Sequence, residues 1–169
     1  MDLITESISS INNSLLTQIS ALLDNEIIFG AIIILFAIAS CWKDKDRNKI
    51  KKIAIALILA LIVGYALKNI YNVERPCEII PAKIECPTDS SFPSLHAILA
   101  FTLMISLLDR KRYILYLIFA LFVAFTRIYL GVHTFVDIAA SLALSAIIYG
   151  IVDYYFKSKT STSPKKVRK

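Results

Sequence analysis

The chain has 169 residues, of which 57% are hydrophobic, and its mean hydropathy is +0.65. This composition excludes an ordinary soluble protein and predicts a membrane protein of one domain. The net charge of +6 resembles that of a nucleic-acid-binding protein, but the basic residues lie in short segments beside apolar runs, so nucleic acid is excluded as a partner.

Residues 1–25 place apolar side chains at helical spacing, with polar residues between them. This pattern predicts an amphipathic helix at the membrane surface. A secretory signal is not expected, because no basic segment leads the chain and no unbroken apolar stretch precedes residue 27. The apolar positions are Ile4, Ile8, Ile11, Leu15, Ile19 and Leu22.

Five apolar runs follow, and they are too long for strands. Helices satisfy their own backbone polar groups in lipid. The sequence therefore predicts an all-α membrane protein, with a bundle of about five transmembrane helices in residues 26–156 and a basic flexible tail over 157–169. The runs are Glu26–Trp42, Ile53–Tyr71, Ser94–Leu108, Tyr113–Leu130 and roughly His133–Phe156. The first run is short for a span, so a buried or tilted helix is the alternative there.

The basic residues predict the orientation of the bundle. Fifteen of the nineteen Lys and Arg residues lie in the segments Lys43–Lys52, Arg110–Arg112 and Lys157–Lys169, which five spans place on one side. Short basic loops stay in the cytoplasm, and they suit contact with anionic membrane lipids. The C-terminus should therefore be cytoplasmic, and the N-terminus and the loop Asn72–Pro93 should face the exterior.

Three further cations fall near the predicted exterior ends of helices: Lys68, Arg75 and Arg127. Lys68 and Arg75 are two helical turns apart and would share a face if the helix continued. Pro76 biases Arg75 away from helical geometry, which predicts that the helix ends there and that Arg75 turns back.

The stretch "SSFPSLHA" places Pro93 and Ser94 before a long apolar run. Ser in this position is typical of a helix N-terminus, where free backbone N–H groups form an anion site. His96 lies in the first turn of that helix. From there it is able to donate a proton to a bound anion.

The stretch "TRIYLGVHTFVD" contains Arg127, His133 and Asp137. His133 and Asp137 are four residues apart, so a carboxylate can orient the imidazole and leave its other nitrogen free to attack. Taken singly, a buried His is often a packing residue and an Arg a membrane anchor. Convergence of the three stretches on one membrane face favours a site for a phosphate dianion.

These residues resemble the type 2 phosphatidic acid phosphatase superfamily of membrane lipid phosphatases. Its three-part signature is similar to "KNIYNVERP", "PSLH" and "TRIYLGVHTFVD", and the resemblance covers roughly residues 60–150. The sequence departs from the usual pattern at Leu95, where the family has Gly, and at Thr126, where it has Ser. Thr126 keeps a hydroxyl, whereas the Leu95 side chain narrows the expected pocket.

The resemblance implies a role for each matched residue. His133, oriented by Asp137, would attack phosphorus and form a phosphohistidine. His96 would protonate the leaving oxygen and later activate water. Phosphate oxygens would be held by Lys68, Arg75, Ser94, the backbone amide of Leu95, and Arg127. No metal or cofactor is implied.

The external loop offers two further features. Its carboxylates Glu74, Glu78, Glu85 and Asp89 are interpreted as solvated charges, with a Mg²⁺ site as the alternative. Cys77 and Cys86 lie in the same loop, where a disulfide is permitted outside the cytoplasm. Cys41 is expected to be a free thiol.

The expected substrate is a lipid phosphate. An exterior site favours polyprenyl diphosphate, and a phosphatidylglycerophosphate or phosphatidate phosphatase is the alternative. A transporter or a non-catalytic membrane scaffold is the alternative from another class, although the sequence shows no repeated halves or paired broken helices. The oligomeric state is left open.

Overall fold

The computed structural model describes residues 1–41 and 47–161, and in these ranges the chain is helical, as the sequence predicts. Residues 42–46, within the first basic segment and the end of the first apolar run, lie outside the described residues, as do residues 162–169 of the predicted tail. The helices are α1 (Leu3–Ser9), α2 (Ser14–Asp24), α3 (Glu26–Cys41), α4 (Arg47–Ile70), α5 (Leu95–Ser106), α6 (Tyr113–Tyr129) and α7 (Phe135–Ser161).

Helix α5 lies at the centre of the bundle and packs against α4, α6 and α7. Most of its side chains are buried, including Ala97, Ile98, Phe101 and Leu103. A helix that is apolar on all sides is stable where protein surrounds it. The short α5 is therefore the core on which the longer helices pack.

Helices α4 and α7 are long and apolar enough to cross a membrane. A third span is counted if α2 and α3, which meet at an 80° bend, are taken together. Helix α5 has 12 residues, or about 18 Å at ~1.5 Å per residue, which is less than a bilayer core. In the described part of the chain, length and composition thus identify two or three spans, and the five-span arrangement stays a prediction.

The outer surface of the bundle is apolar. Large hydrophobic side chains on the outward faces of several helices are more than half exposed, which in a soluble protein would be an aggregation hazard. Contact with lipid tails removes that hazard and accounts for the composition. Examples are Ile34 and Leu35 on α3, Ile58 and Ile62 on α4, Ile118 on α6, and Ile147 and Ile151 on α7.

The N-terminal segment forms two helices where the sequence predicts one. The Asp2 carboxylate accepts from Thr5 N at 2.8 Å and caps α1, and the Asn13 side chain accepts from Leu16 N at 2.9 Å and caps α2. A side chain that caps a new helix at residue 13 separates it from the preceding turn. Five of the six predicted apolar positions are exposed: Ile4, Ile11, Leu15, Ile19 and Leu22. The sixth, Ile8, is partly buried and packs against the core.

Partly buried polar contacts hold this segment against the bundle. The Tyr129 hydroxyl accepts from Asn13 N at 3.1 Å and lies 2.8 Å from Thr17 Oγ1. Lys83 Nζ donates to the backbone carbonyls of Ser9, at 2.5 Å, and Tyr129, at 2.9 Å. These contacts fix α1 and α2 over the ends of α6 and the loop that follows α4.

The loop between α4 and α5 contains a short 3₁₀ helix, Pro76–Glu78, and a disulfide between Cys77 and Cys86, whose Cα atoms are 5.7 Å apart. Cys41 is a buried free thiol. The loop is also tied to the bundle through backbone hydrogen bonds, such as Lys83 N to Leu130 O at 3.2 Å. This bracing fixes the loop ends that carry Arg75 and Ser94.

Helices α4 and α5 approach closely at Gly64. A Cβ added at Gly64 would collide with Leu95 Cδ2 and would lie 3.5 Å from Ile98 Cδ1. The Leu95 side chain therefore occupies the space that Gly64 leaves. Any larger residue at position 64 must push Leu95 away.

We expect Gly64→Ala to lower the free energy of unfolding by about 1 kcal/mol, because overpacking of ~1–3 kcal/mol exceeds the gain in helix propensity of ~1 kcal/mol. Gly150→Ala is the matched control, since its Cβ meets nothing within 4 Å, and it should stabilise the protein. Thermal unfolding in detergent measures both. In a Leu95→Ala background, Gly64→Ala should no longer destabilise. Equal stabilisation by the two Gly→Ala changes would contradict the contact.

Candidate active site

Lys68 lies in the last turn of α4 and is 8% exposed. Its Nζ donates to the backbone carbonyl of Ser90 and pairs with Asp89 Oδ2 at 2.8 Å. Burial raises the pKa of the Asp89 carboxyl, but hydrogen bonds from Lys68 and Arg75 outweigh burial and hold that pKa below its usual value. Asp89 is thus a half-exposed loop charge, as the sequence suggests, that also pairs with two cations.

Arg75 reaches the same place from the loop. Helix α4 ends at Ile70, five residues before the end that Pro76 predicts. Arg75 is extended, as Pro76 predicts, and is the residue before the 3₁₀ helix. Its guanidinium donates to Asp89 Oδ1 at 2.5 Å and to Val132 O at 2.9 Å, and Nη1 lies 3.4 Å from His133 Nε2. Arg75 therefore joins the loop to the start of α7.

Ser94 is the N-cap of α5, as the sequence predicts. Its Oγ accepts from Ala97 N at 3.5 Å, and its backbone N–H donates to Ser141 Oγ of α7 at 3.2 Å. Ser94 is fully buried, and the next two residues, Leu95 and His96, line a cavity. The positive end of the α5 helix dipole is thus directed at that cavity.

His96 projects from the first turn of α5. Its ring packs on the Phe29 ring of α3, with centroids 4.4 Å apart. Its Nε2 is buried and has no hydrogen-bond partner within the described residues. A buried polar atom without a partner, in a residue that lines a cavity, is available to a bound ligand.

His133 precedes α7, and its Nδ1 lies 3.7 Å from Asp137 Oδ2. This distance is longer than a hydrogen bond, although such contacts often shorten only when substrate binds. Asp137 Oδ2 is itself held by Ser91 Oγ at 2.7 Å and Thr134 N at 2.8 Å. Asp137 is therefore fixed beside His133 by two groups that the sequence interpretation omits.

Arg127 lies in the last turn of α6 and is 3% exposed. Its Nη1 pairs with Asp24 Oδ1, at the end of α2, at 2.6 Å. The sequence analysis does not single out Asp24, because 103 residues separate the two partners. The only sequence signal is an acidic residue at the end of an amphipathic segment predicted to lie on the same side.

Six of the eight predicted site residues line one cavity of about 170 Å³. At roughly 30 Å³ per water molecule, it has room for about six water-sized groups. The other two, Ser94 and Asp137, are buried but do not line it. Within residues 1–41 and 47–161, no group of three or more His, Cys, Asp or Glu side chains is arranged to hold a metal ion. The lining residues are Asp24, Glu26, Lys68, Arg75, Pro87, Asp89, Leu95, His96, Arg127 and His133.

Comparison with known proteins identifies relatives of this arrangement. Undecaprenyl-diphosphatase BcrC of Bacillus subtilis strain 168 is 32% identical over 149 residues, which cover 86% of this chain and 77% of BcrC. The crystal structure of Aquifex aeolicus LpxE superposes with a TM-score of 0.73 at 22% identity, covering 90% of this chain and 93% of LpxE.

A second solved structure, a PAP2 type phosphatidylglycerolphosphate phosphatase from Bacillus subtilis, gives a TM-score of 0.71 at 18% identity. It covers 98% of this chain and 86% of that protein. At these identities the two structures establish the fold alone. Residues 49–161 match the family model described as PAP2 superfamily, and with the BcrC relationship this match shows that the chain belongs to the PAP2 superfamily.

Proposed function

We propose that this phosphatase hydrolyses a polyprenyl diphosphate at the outer face of the cell membrane, through a phosphohistidine on His133. Membership of the PAP2 superfamily and the relationship to an undecaprenyl-diphosphatase support phosphatase chemistry on a lipid. The observation that carries the mechanism is one cavity lined by three cations and two imidazoles.

The three cations are suited to hold a phosphoryl group. Lys68, Arg75 and Arg127 come from α4, the following loop and α6, so they surround the cavity from different sides. The N-terminus of α5 adds the backbone amide of Leu95 and its helix dipole. Fixed positive groups of this kind stabilise the charge of a phosphoryl-transfer transition state, which is the main contribution a protein makes to the reaction.

The two histidines have different roles in the proposed reaction: His133 is the nucleophile, and His96 is the acid and base. With Nδ1 directed at Asp137, His133 attacks phosphorus through Nε2, which forms an N–P bond while the P–O bond to the lipid phosphate breaks. His96 donates its Nε2 proton to the leaving oxygen. It then takes a proton from water, whose oxygen attacks phosphorus, breaks the N–P bond and releases inorganic phosphate.

No step of this mechanism uses a metal ion or a cofactor. The built-in cations supply the positive charge that Mg²⁺ provides in many phosphotransferases. Lys68 and Arg75 already hold the Asp89 carboxylate, the one loop acid in the cavity wall, which leaves it poorly placed to bind a cation. The proposed phosphatase is therefore metal-independent.

The site is proposed to face the exterior. It lies at the C-terminal end of α4, whereas Lys49 and Lys52 lie near the start of that helix and pair with Asp109 and Asp153. Under the five-span interpretation the basic end is cytoplasmic and the cavity is at the outer headgroup level. There a substrate keeps its tail in lipid while its phosphate enters the cavity.

A phosphatidylglycerophosphate or phosphatidate phosphatase is the second candidate. The structural similarity to a phosphatidylglycerolphosphate phosphatase favours it, although that similarity establishes only the fold. Leu95, where the family usually has Gly, lines the cavity and is the residue expected to affect the choice between these substrates. Rates on the three lipid phosphates, measured with the same purified protein, separate the candidates.

The function is tested by phosphate release from a polyprenyl diphosphate in detergent, with and without a chelator. We expect turnover that the chelator leaves intact. His96→Ala should slow turnover by about 10²–10⁴-fold, and His133→Ala should reduce it to the uncatalysed background. Asp109→Asn, at the far end of the bundle, is the matched control and should retain activity. Hydrolysis that survives His133→Ala would overturn the proposal.

The pH dependence of kcat/KM provides a second test. His133 must be neutral to attack, so the rate rises with pH as it loses its proton. His96 must be protonated to donate, so the rate falls again at higher pH. We expect a bell-shaped profile, with the alkaline limb reduced in His96→Ala. A profile that stays flat from about pH 4 to 9 would contradict these two roles.

A further inference from the structure

Asp24 joins the N-terminal helices to the active site. It is the last residue of α2, beside the 80° bend into α3, and its carboxylate pairs with Arg127 at 2.6 Å. It lies outside the three signature stretches and outside residues 49–161, over which the family model matches. Its role therefore follows from the contacts of this chain.

The same residue also lies at the wall of the proposed active site. Asp24 lines one cavity together with His96, the proposed proton donor, and His133, the proposed nucleophile. Asp24 thus pairs with a phosphate-binding cation at the place that a phosphoryl group would enter.

The position of Asp24 is fixed by the docking of the whole N-terminal segment. Tyr129 and Lys83 hold the turn between α1 and α2. Thr5 Oγ1 accepts from the backbone N–H of Phe135, at the first turn of α7, at 2.8 Å. Several partly buried polar contacts therefore hold this segment, and they fix the position of Asp24 beside Arg127.

The Asp24 carboxylate takes the place that a phosphate oxygen would take on Arg127. Its side chain is 28% exposed and lines the cavity, whereas the Arg127 side chain is 4% exposed and relies on this partner for its charge balance. An incoming phosphate must displace the carboxylate or share the guanidinium with it at close range. Two anions on one cation repel each other.

We infer that Asp24 is a positioning residue that holds Arg127 in the empty site and exchanges with the phosphoryl group during each turnover. The inference rests on the proposed function. Asp24 holds Arg127 in position before substrate binds, releases it to the phosphoryl group, and pairs with it again when inorganic phosphate leaves. Its negative charge weakens phosphate binding and so assists product release.

Asp24→Asn tests this inference, because it removes the charge while keeping the side-chain size and the backbone carbonyl. The probes are orthovanadate and inorganic phosphate, and binding is followed as ligand-induced stabilisation of the full chain in detergent. We expect both ligands to bind about five- to tenfold more tightly than to the unchanged protein. In turnover, KM should fall and product inhibition by phosphate should strengthen.

If Asp24 had only a structural role, its replacement would weaken ligand binding and would leave KM unchanged or higher. Asp24→Ser removes the same charge with a smaller side chain and should also tighten binding, so a folding defect in one variant does not decide the result. Asp109→Asn breaks the remote pair with Lys49 and should leave both affinities unchanged. Equal or weaker vanadate binding in both Asp24 variants would overturn the inference.

The vanadate-binding measurement can be interpreted even if the protein does not hydrolyse a lipid phosphate. If the unchanged protein released no phosphate from any lipid phosphate, the proposed function would fail. The response of vanadate affinity to Asp24→Asn would still report whether Asp24 competes for Arg127. If hydrolysis is present and the affinities do not change, the inference about Asp24 alone is wrong.

Discussion

Lys68, Arg75 and Arg127 are 8%, 4% and 3% exposed, and a buried cation is costly unless an opposite charge lies beside it. Two carboxylates offset the cost of burying these cations. Asp89 pairs with Lys68 and Arg75, and Asp24 pairs with Arg127. The geometry of the site depends on these pairs, because they fix the three cations around one cavity. In the proposed mechanism, a phosphoryl group enters a site whose charges are already arranged.

The fold delivers these groups from elements far apart in sequence. The short, buried α5 follows the loop that carries Arg75 and packs against α7. His133 lies just before α7, and Asp137 lies in its first turn. The docked N-terminal helices close the remaining side. The N-terminal segment, whose apolar side chains are largely exposed, also places Asp24 in the cavity wall.

Much of this arrangement follows from sequence patterns. Apolar runs locate the helices to within a few residues, with two exceptions. Helix α4 begins six residues before the run at Ile53, because four of the six residues Arg47–Lys52 are Lys or Arg, good helix formers that no apolar pattern reports. Helix α7 continues five residues past Phe156, so residues 157–161 of the predicted flexible tail are helical. Local spacing also finds His133 with Asp137, and Ser94 as a cap. Asp24 and Ser91 were missed because their partners lie 103 and 46 residues away, and a single sequence carries no signal for such pairs.

The central claim is that His133 becomes covalently phosphorylated. The direct measurement is rapid quenching of the enzyme with a polyprenyl diphosphate labelled on its terminal phosphate, followed by peptide mapping under alkaline conditions. The account predicts an acid-labile phosphate on the peptide that contains His133, absent from His133→Ala. Turnover without any labelled intermediate, or a label on another residue, would contradict it.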